Sequence, residues 1–233
     1  MAARHRIFIA VPLDPALAGA VVELERRITA AGGPVRWIRA EQLHFTVRFL
    51  GEITPVQVAL VRRATRTVAA AASPFPLTLQ GIGAFPSLHR PQVIWVGVRE
   101  GAEGLARLSR ALDDALAPHH FPREDRPYVA HLTLTRVRDR RQWGDVVRAL
   151  STFRETPVGT QVADRLAVME SHLGRGGARY TVVEEVPLGH LLKSSREEAL
   201  DVVDPGSGAT PKNSAGRPIR VNESRDSRGD GVP

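Results

Sequence analysis

Apolar and polar residues alternate along several short stretches of the chain, and this period of two predicts β-strands. In residues 43–50 the odd positions are apolar, whereas the even positions, beginning with His44, are polar up to residue 48. Comparable short apolar or alternating stretches predict the other strands, at 6–11, 35–38, 75–85, 92–98, 129–137, 158–170 and 178–186.

Longer stretches between these strands predict helices. Asp14-Pro15 and Thr54-Pro55 each combine a capping side chain with proline at the first helical position. We therefore expect helices to about residue 31 and residue 72, with two more at 104–117 and 142–150. Helices mixed with pairs of adjacent strands favour an α+β fold over a doubly wound parallel sheet.

One tetrapeptide pattern, His-x-Thr-x, occurs twice, at residues 44–47 and 131–134. In a strand, positions i and i+2 share a face, so each copy presents an imidazole and a hydroxyl together. Both copies follow strand and helix segments and precede a helix, which suggests two similar lobes whose motif strands line the cleft between them. Two facing imidazoles can act as a base and an acid, as displacement at phosphorus requires.

Residues 204–233 are dominated by Gly, Pro, Ser, Asn, Asp and Arg. Such a segment buries too little apolar surface to offset its ordering entropy. We therefore expect a folded domain over 1–190 and a disordered tail over 191–233. The tail carries seven basic and seven acidic side chains, so the net charge of +7 belongs to residues 1–190.

Composition narrows the class of protein. The chain has no cysteine, which excludes disulfides, thiolate metal sites and a cysteine nucleophile. It has no long apolar run and no apolar segment typical of a signal peptide near residue 1, so we expect a cytoplasmic protein. Both lysines lie in the tail, so arginine supplies the basic excess of the folded part. Arginine suits phosphate contacts, although a genomic codon bias explains its abundance equally well.

The motifs resemble those of the two-histidine phosphoesterase superfamily, and within it the RNA 2′,3′-cyclic phosphodiesterase family, also called the 2′-5′ RNA ligase family. The likeness covers residues 4–188. It includes RIFIA at 6–10, HFTVRFLGE at 44–52, YVAHLTLTR at 128–136 and a closing hairpin at 170–180. Ala130 departs from the pattern, because relatives usually have proline before the second histidine.

This resemblance implies two α+β lobes in pseudo-twofold relation, with antiparallel sheets lining a central cleft. It also implies opening of a 2′,3′-cyclic phosphate at an RNA 3′ end to leave a 2′-phosphate. Some members join or cleave 2′-5′ linkages in tRNA halves, so tRNA fragments are candidate partners. We expect a monomer that needs no cofactor and no membrane.

The resemblance also implies roles for individual residues. His44 is assigned as the proton donor to the leaving O3′ and His131 as the proton acceptor from water. Thr46 and Thr133 are assigned to the phosphate oxygens, as is Arg136. In a regular strand Arg136 would face away from His131 and be a surface residue, so either a bulge or the end of the strand must re-aim it.

Two further residues have equally good structural explanations. Arg48 shares the predicted face of His44 and is either an RNA contact or a solvated arginine at a strand edge. Tyr128 either stacks on a base or packs in the core. A metal site built from His44 and His131 would need a third ligand, and neither motif supplies a nearby carboxylate on the same face, so no metal site is predicted. A small cyclic nucleotide as substrate, or an RNA- or nucleotide-binding module without turnover, remain the alternatives.

Overall fold

A computed structural model describes residues 3–137, 144–174 and 177–189. Its helices and strands, in chain order, are β1 (His5–Pro12), α1 (Pro15–Gly32), β2 (His44–Ile53), α2 (Pro55–Ala71), β3 (Phe75–Phe85), β4 (Val93–Glu100), α3 (Ala102–Leu116), β5 (His131–Arg136), α4 (Gly144–Thr152), β6 (Pro157–Ala163), β7 (Arg165–Gly174) and β8 (Gly177–Pro187). The predicted tail lies outside the described residues. No helix in the described part is long and apolar enough to cross a membrane.

The predicted capping residues begin both long helices. The Asp14 carboxylate accepts a hydrogen bond from the backbone N–H of Ala16 at 2.7 Å. Thr54 and Gln57 form a capping box, in which each side chain accepts from the other residue's backbone N–H. These contacts satisfy N–H groups that the first turn of a helix leaves unpaired.

Two four-stranded antiparallel sheets form the framework. The first has the order β2-β1-β7-β8 and the second the order β5-β4-β3-β6. Each His-x-Thr motif therefore lies on an edge strand, and the two edge strands, β2 and β5, contact each other. The α+β prediction, with two antiparallel sheets meeting at the motif strands, is confirmed.

The two faces of the first sheet differ in what they bury. On one face, residues such as Ile7, Ile9 and Phe45 are fully buried in the main core. On the other face, Phe8 belongs to a small apolar cluster against which Tyr180 packs. The His44 ring lies against Phe8 and Tyr180 on this second face. The sheet therefore separates the main hydrophobic core from the surroundings of His44.

Two strand predictions were wrong. Residues 35–38 form no strand; instead, Ile38 donates its N–H to the Leu134 carbonyl at 2.8 Å, and the Arg36 carbonyl accepts from the Thr135 hydroxyl at 2.7 Å. The predicted strand 158–170 is two strands, because the chain changes sheet at Asp164. β6 pairs with β3 and β7 pairs with β1. An apolar pattern does not encode which sheet each half joins.

Both motif strands contain a bulge three residues after the histidine. Against β1, Ile9 pairs with Arg48 and Ala10 with Thr46, so Val47 is the extra residue. Against β4, Ile94 pairs with Thr135 and Trp95 with Thr133, so Leu134 is the extra residue. A bulge reverses the facing of the residues that follow it.

Candidate active site

His44 stands at the start of β2, with its ring orientation fixed by a backbone contact. Its Nδ1 lies 2.8 Å from the Gln42 carbonyl. Because a carbonyl only accepts, Nδ1 carries the proton in the neutral ring, and Nε2 is left to exchange protons. Phe8 and Tyr180 flank the ring at centroid distances of 4.8 and 5.0 Å.

His131 begins β5 in the same way. Its Nδ1 lies 2.7 Å from the Val129 carbonyl, again two residues before the histidine. Phe85 meets the ring edge-on at 5.0 Å, and Trp95 lies at 6.1 Å. The two motifs thus present equivalent imidazoles, each with Nε2 available and each beside two aromatic rings.

Both imidazoles favour the neutral form in the free protein. The pKa of His44 is lowered to about 4, mainly by burial. The contact with Gln42 raises it, and the charges of Arg136 and His131 lower it. Burial also lowers the pKa of His131, with a further contribution from the Arg136 charge. The two rings and Arg136 therefore lie close enough to interact electrostatically.

The bulge at Leu134 brings Arg136 to the site. Leu134 and Thr135 are buried in succession, and Arg136, which follows them, is exposed. Arg136 and Thr135 line the cleft with His44 and Thr46. Of the two features that could re-aim Arg136, a bulge or the strand end, the bulge is present.

The same bulge in β2 turns Arg48 away from the cleft that His44 lines, so the face predicted for Arg48 was wrong. Arg48 instead borders a second cavity, which contains His131. Only 7 % of Arg48 is exposed. Its Nε is 2.7 Å from Asp113 Oδ1, an ion pair not aligned for a hydrogen bond. Its other nitrogens donate to Glu124 and to the Pro122 carbonyl. The guanidinium is thus committed to protein partners.

Thr46 and Thr133 occupy different surroundings. Thr46 lines two cavities, one with His44 and one with His131. Thr133 is half-buried and pairs in register with Trp95. It is on the His131 side of its strand, because Leu132 and Leu134 are fully buried. The phosphate contacts assigned to both threonines stay predictions.

Tyr128 links the two motifs. Its hydroxyl donates to the Thr46 carbonyl at 2.9 Å. Burial raises the pKa of the phenol, which therefore keeps its proton. Tyr128 also lines the cavity that contains His131. Base stacking by Tyr128 stays a prediction.

Two adjoining cavities surround the motifs and share Thr46 and Phe49. The larger, of about 890 Å³, contains His44. The smaller, of about 610 Å³, contains His131 and has a mostly apolar wall. The arginines of the larger cavity are Arg6, Arg36, Arg39, Arg136 and Arg179.

Sequence reasoning missed most of these lining residues. Phe49, which is 43 % exposed, lies beneath the Arg6 guanidinium at 4.7 Å from the ring centroid. Phe49 follows His44 by the same five residues that separate Arg136 from His131. The repeated offset was the available signal, because one bulge position serves both motifs.

Within residues 3–137, 144–174 and 177–189, no three His, Asp or Glu side chains cluster as metal ligands would. The polar groups that line the two cavities include the two imidazoles, several hydroxyls and arginines. Such groups move protons and hold anions.

The fold and the paired His-x-Thr strands define a two-histidine phosphoesterase. A sequence profile described as the 2′-5′ RNA ligase superfamily matches residues 13–175, and the chain belongs to that family.

Named relatives and one solved structure agree with this placement. A protein of Aquifex aeolicus named RNA 2′,3′-cyclic phosphodiesterase is 32 % identical over 157 residues, which are 66 % of this chain and 82 % of that protein. A protein of the same name from Methanothermobacter thermautotrophicus is 30 % identical over 179 residues, or 77 % of this chain and 96 % of that protein. A crystal structure of a Thermus thermophilus protein has a TM-score of 0.65 at 28 % identity, covering 79 % of this chain and 98 % of that one.

Proposed function

We propose that this enzyme hydrolyses the 2′,3′-cyclic phosphate at the 3′ end of RNA to a 2′-phosphate, by acid-base catalysis between two histidines and without a metal. The observation that carries the proposal is the pair of equivalent imidazoles, each with Nδ1 held by the carbonyl two residues earlier. Relatives that bear the name of this activity extend over most of the chain.

The proposed reaction is one in-line displacement. His131 Nε2 takes a proton from water as the water oxygen forms a bond to phosphorus. The bond from phosphorus to O3′ breaks on the opposite side, and His44 gives its Nε2 proton to O3′. The bond to O2′ stays, so the product is a 2′-phosphomonoester.

The charges around the site suit this assignment. His44 must carry a proton to act as the acid, yet burial and Arg136 favour its neutral form in the free protein. A bound phosphate adds a negative charge that favours protonation, so substrate binding prepares the acid. Thr46 and Thr133 donate to the non-bridging oxygens, and Arg136 offsets the charge that grows there.

The lining of the larger cavity favours an RNA strand over a lone nucleotide as the substrate. The cavity is about 890 Å³ and carries four arginines besides Arg136. Arginines placed beyond the reacting phosphate can contact further phosphates of a strand. If a ribose hydroxyl replaces water as the attacking group, the same site forms a 2′-5′ linkage, and we include this joining reaction in the proposal.

The test is an assay of the purified full chain in EDTA with a short oligoribonucleotide ending in a 2′,3′-cyclic phosphate. We expect a 2′-phosphate product from the wild type and from His89→Ala, which alters an exposed loop histidine. We expect no product from His44→Ala or His131→Ala. Full activity in both would contradict the proposal, and so would a product bearing a 3′-phosphate.

A matched assay with a 2′,3′-cyclic mononucleotide separates the alternatives. The proposal predicts a higher kcat/KM for the oligonucleotide. Preference for the mononucleotide would favour a small cyclic nucleotide as the substrate. RNA binding without turnover would favour a binding module.

A further inference from the structure

The segment that leads into the second motif, residues 121–130, contains no helix or strand. Residues 122–127 are exposed throughout, while Phe121 at the segment's start is buried. Segments of this kind fluctuate unless side chains tie them down. His131 follows this segment directly, so the placement of its ring depends on what anchors the segment.

One anchor is the buried Arg48. It lies in β2, four residues after His44, and the bulge at Val47 aims its side chain at the segment. Its Nη1 donates to Glu124 at 3.2 Å, and Nη2 donates to the Pro122 carbonyl. Its Nε is ion-paired with Asp113 of α3 at 2.7 Å. One guanidinium therefore joins the first motif strand, α3 and the segment.

The second anchor is Tyr128, three residues before His131. Its hydroxyl donates to the backbone carbonyl of Thr46, within the first motif itself. The phenol is half-buried, and its raised pKa keeps it a donor at any pH the assay would use. This hydrogen bond crosses directly from the segment before one catalytic strand to the backbone of the other.

We propose that Arg48 and Tyr128 are positioning residues that set the separation of the His44 and His131 rings by holding residues 121–130 against β2. The inference rests on the proposed function, in which both rings must reach one phosphorus atom. A displacement of about 1 Å between reacting groups can cost about a hundredfold in rate. Loss of either anchor therefore lowers kcat, while the phosphate-binding side chains remain and KM changes little.

The first variants are Tyr128→Phe and Arg48→Lys. Tyr128→Phe keeps the ring and removes only the donor to Thr46. Arg48→Lys keeps a positive charge at Asp113 but cannot also reach Glu124 and the Pro122 carbonyl. We expect kcat to fall by about tenfold or more in each, with KM within about twofold of the wild type. Arg48→Met removes the charge as well, and we expect a larger fall.

The matched control is Arg62→Met. Arg62 of α2 is also ion-paired, with Glu184 at 2.6 Å, but it lines neither cavity. We expect an unchanged kcat. Urea unfolding of every variant separates a loss of rate from a loss of folded protein. Unchanged kcat in Tyr128→Phe and Arg48→Lys, or a change in KM alone, would overturn the inference.

A second readout does not depend on turnover. An NMR titration of the Cε1–H resonances of His44 and His131 reports how strongly each imidazole affects the pKa of the other. We expect Tyr128→Phe to shift the His44 titration and Arg62→Met to leave it unchanged. A wild type that is inactive on cyclic phosphate would refute the proposed function. The titrations would still decide the inference, because identical curves in the wild type and Tyr128→Phe would overturn it.

Discussion

The environment of His44 should make the stability of the protein depend on pH, and His44→Gln should remove this dependence. Burial lowers the pKa of His44 from 6.5 to about 4. Because the pKa of His44 is lower in the folded than in the unfolded chain, the stability that depends on neutral His44 is fully present above about pH 6.5. It is lost as the pH falls toward 4. Glutamine is similar in size and does not titrate.

The size of this pH-dependent change in unfolding free energy follows from the linkage between proton binding and folding. At pH 5 the unfolded chain holds a proton on His44 and the folded chain does not, which costs the fold about 2 kcal/mol relative to pH 7. Urea unfolding at the two pH values measures the difference. We expect the wild type to lose about 2 kcal/mol more than His44→Gln between pH 7 and pH 5.

The control for this comparison is His89→Gln, since His89 is exposed. We expect it to lose as much stability between the two pH values as the wild type does. If His44→Gln also loses as much as the wild type, the imidazole is not desolvated in the folded protein. Burial would then not be what keeps His44 neutral in the folded protein.

Three other predictions concern single side chains. Thr46→Val should lower kcat about 10- to 100-fold, because it removes the hydroxyl that lines both cavities. Thr46→Ser keeps a hydroxyl and should retain most of the wild-type kcat. Equal kcat for the wild type and Thr46→Val would count against a hydrogen bond from Thr46 to the phosphate. Arg136→Gln should raise KM for the cyclic-ended oligonucleotide. It should also raise the pKa of His44 and of His131 in NMR titration, because the Arg136 charge lowers the pKa of each ring. Unchanged pKa values would mean that Arg136 lies away from the two rings. Burial raises the pKa of Glu25 to about 8, so the stability that the protonated carboxyl gives the fold is fully present below about pH 4.5 and is lost as the pH rises through 8. Between pH 5 and pH 8 the wild type should therefore lose about 3 kcal/mol of unfolding free energy that Glu25→Gln does not lose. Equal losses for the two proteins in urea unfolding would contradict this.

Much of the fold follows from local patterns. The caps at Asp14 and Thr54 and the alternation around His44 are written in a few adjacent residues, and the helices and most strands begin close to the predicted positions. The duplicated motif also predicted that the two motif strands meet. Local signals fail at Asp164, where the chain leaves one sheet for the other, because strand partners are set by tertiary packing.

In the site, too, some features follow from local sequence and others depend on tertiary structure. The paired imidazoles were evident from the sequence, but the facing of later residues depends on a bulge that the strand pattern hides. A bulge was considered for Arg136, as an alternative to the strand end, and was not considered for Arg48. Applied to the first motif, the same reasoning would have assigned Phe49 to the cleft and Arg48 to the interior.

The proposed mechanism requires the His44 and His131 imidazoles to act on one phosphoryl centre. The most direct measurement compares single-turnover rates on the cyclic-ended oligonucleotide for His44→Ala, His131→Ala and the double variant. Groups that act in one displacement are not additive, so we predict that the double variant is as slow as the slower single one. A double variant slower by the product of the two single effects would mean that the histidines act independently, and would contradict the proposed mechanism.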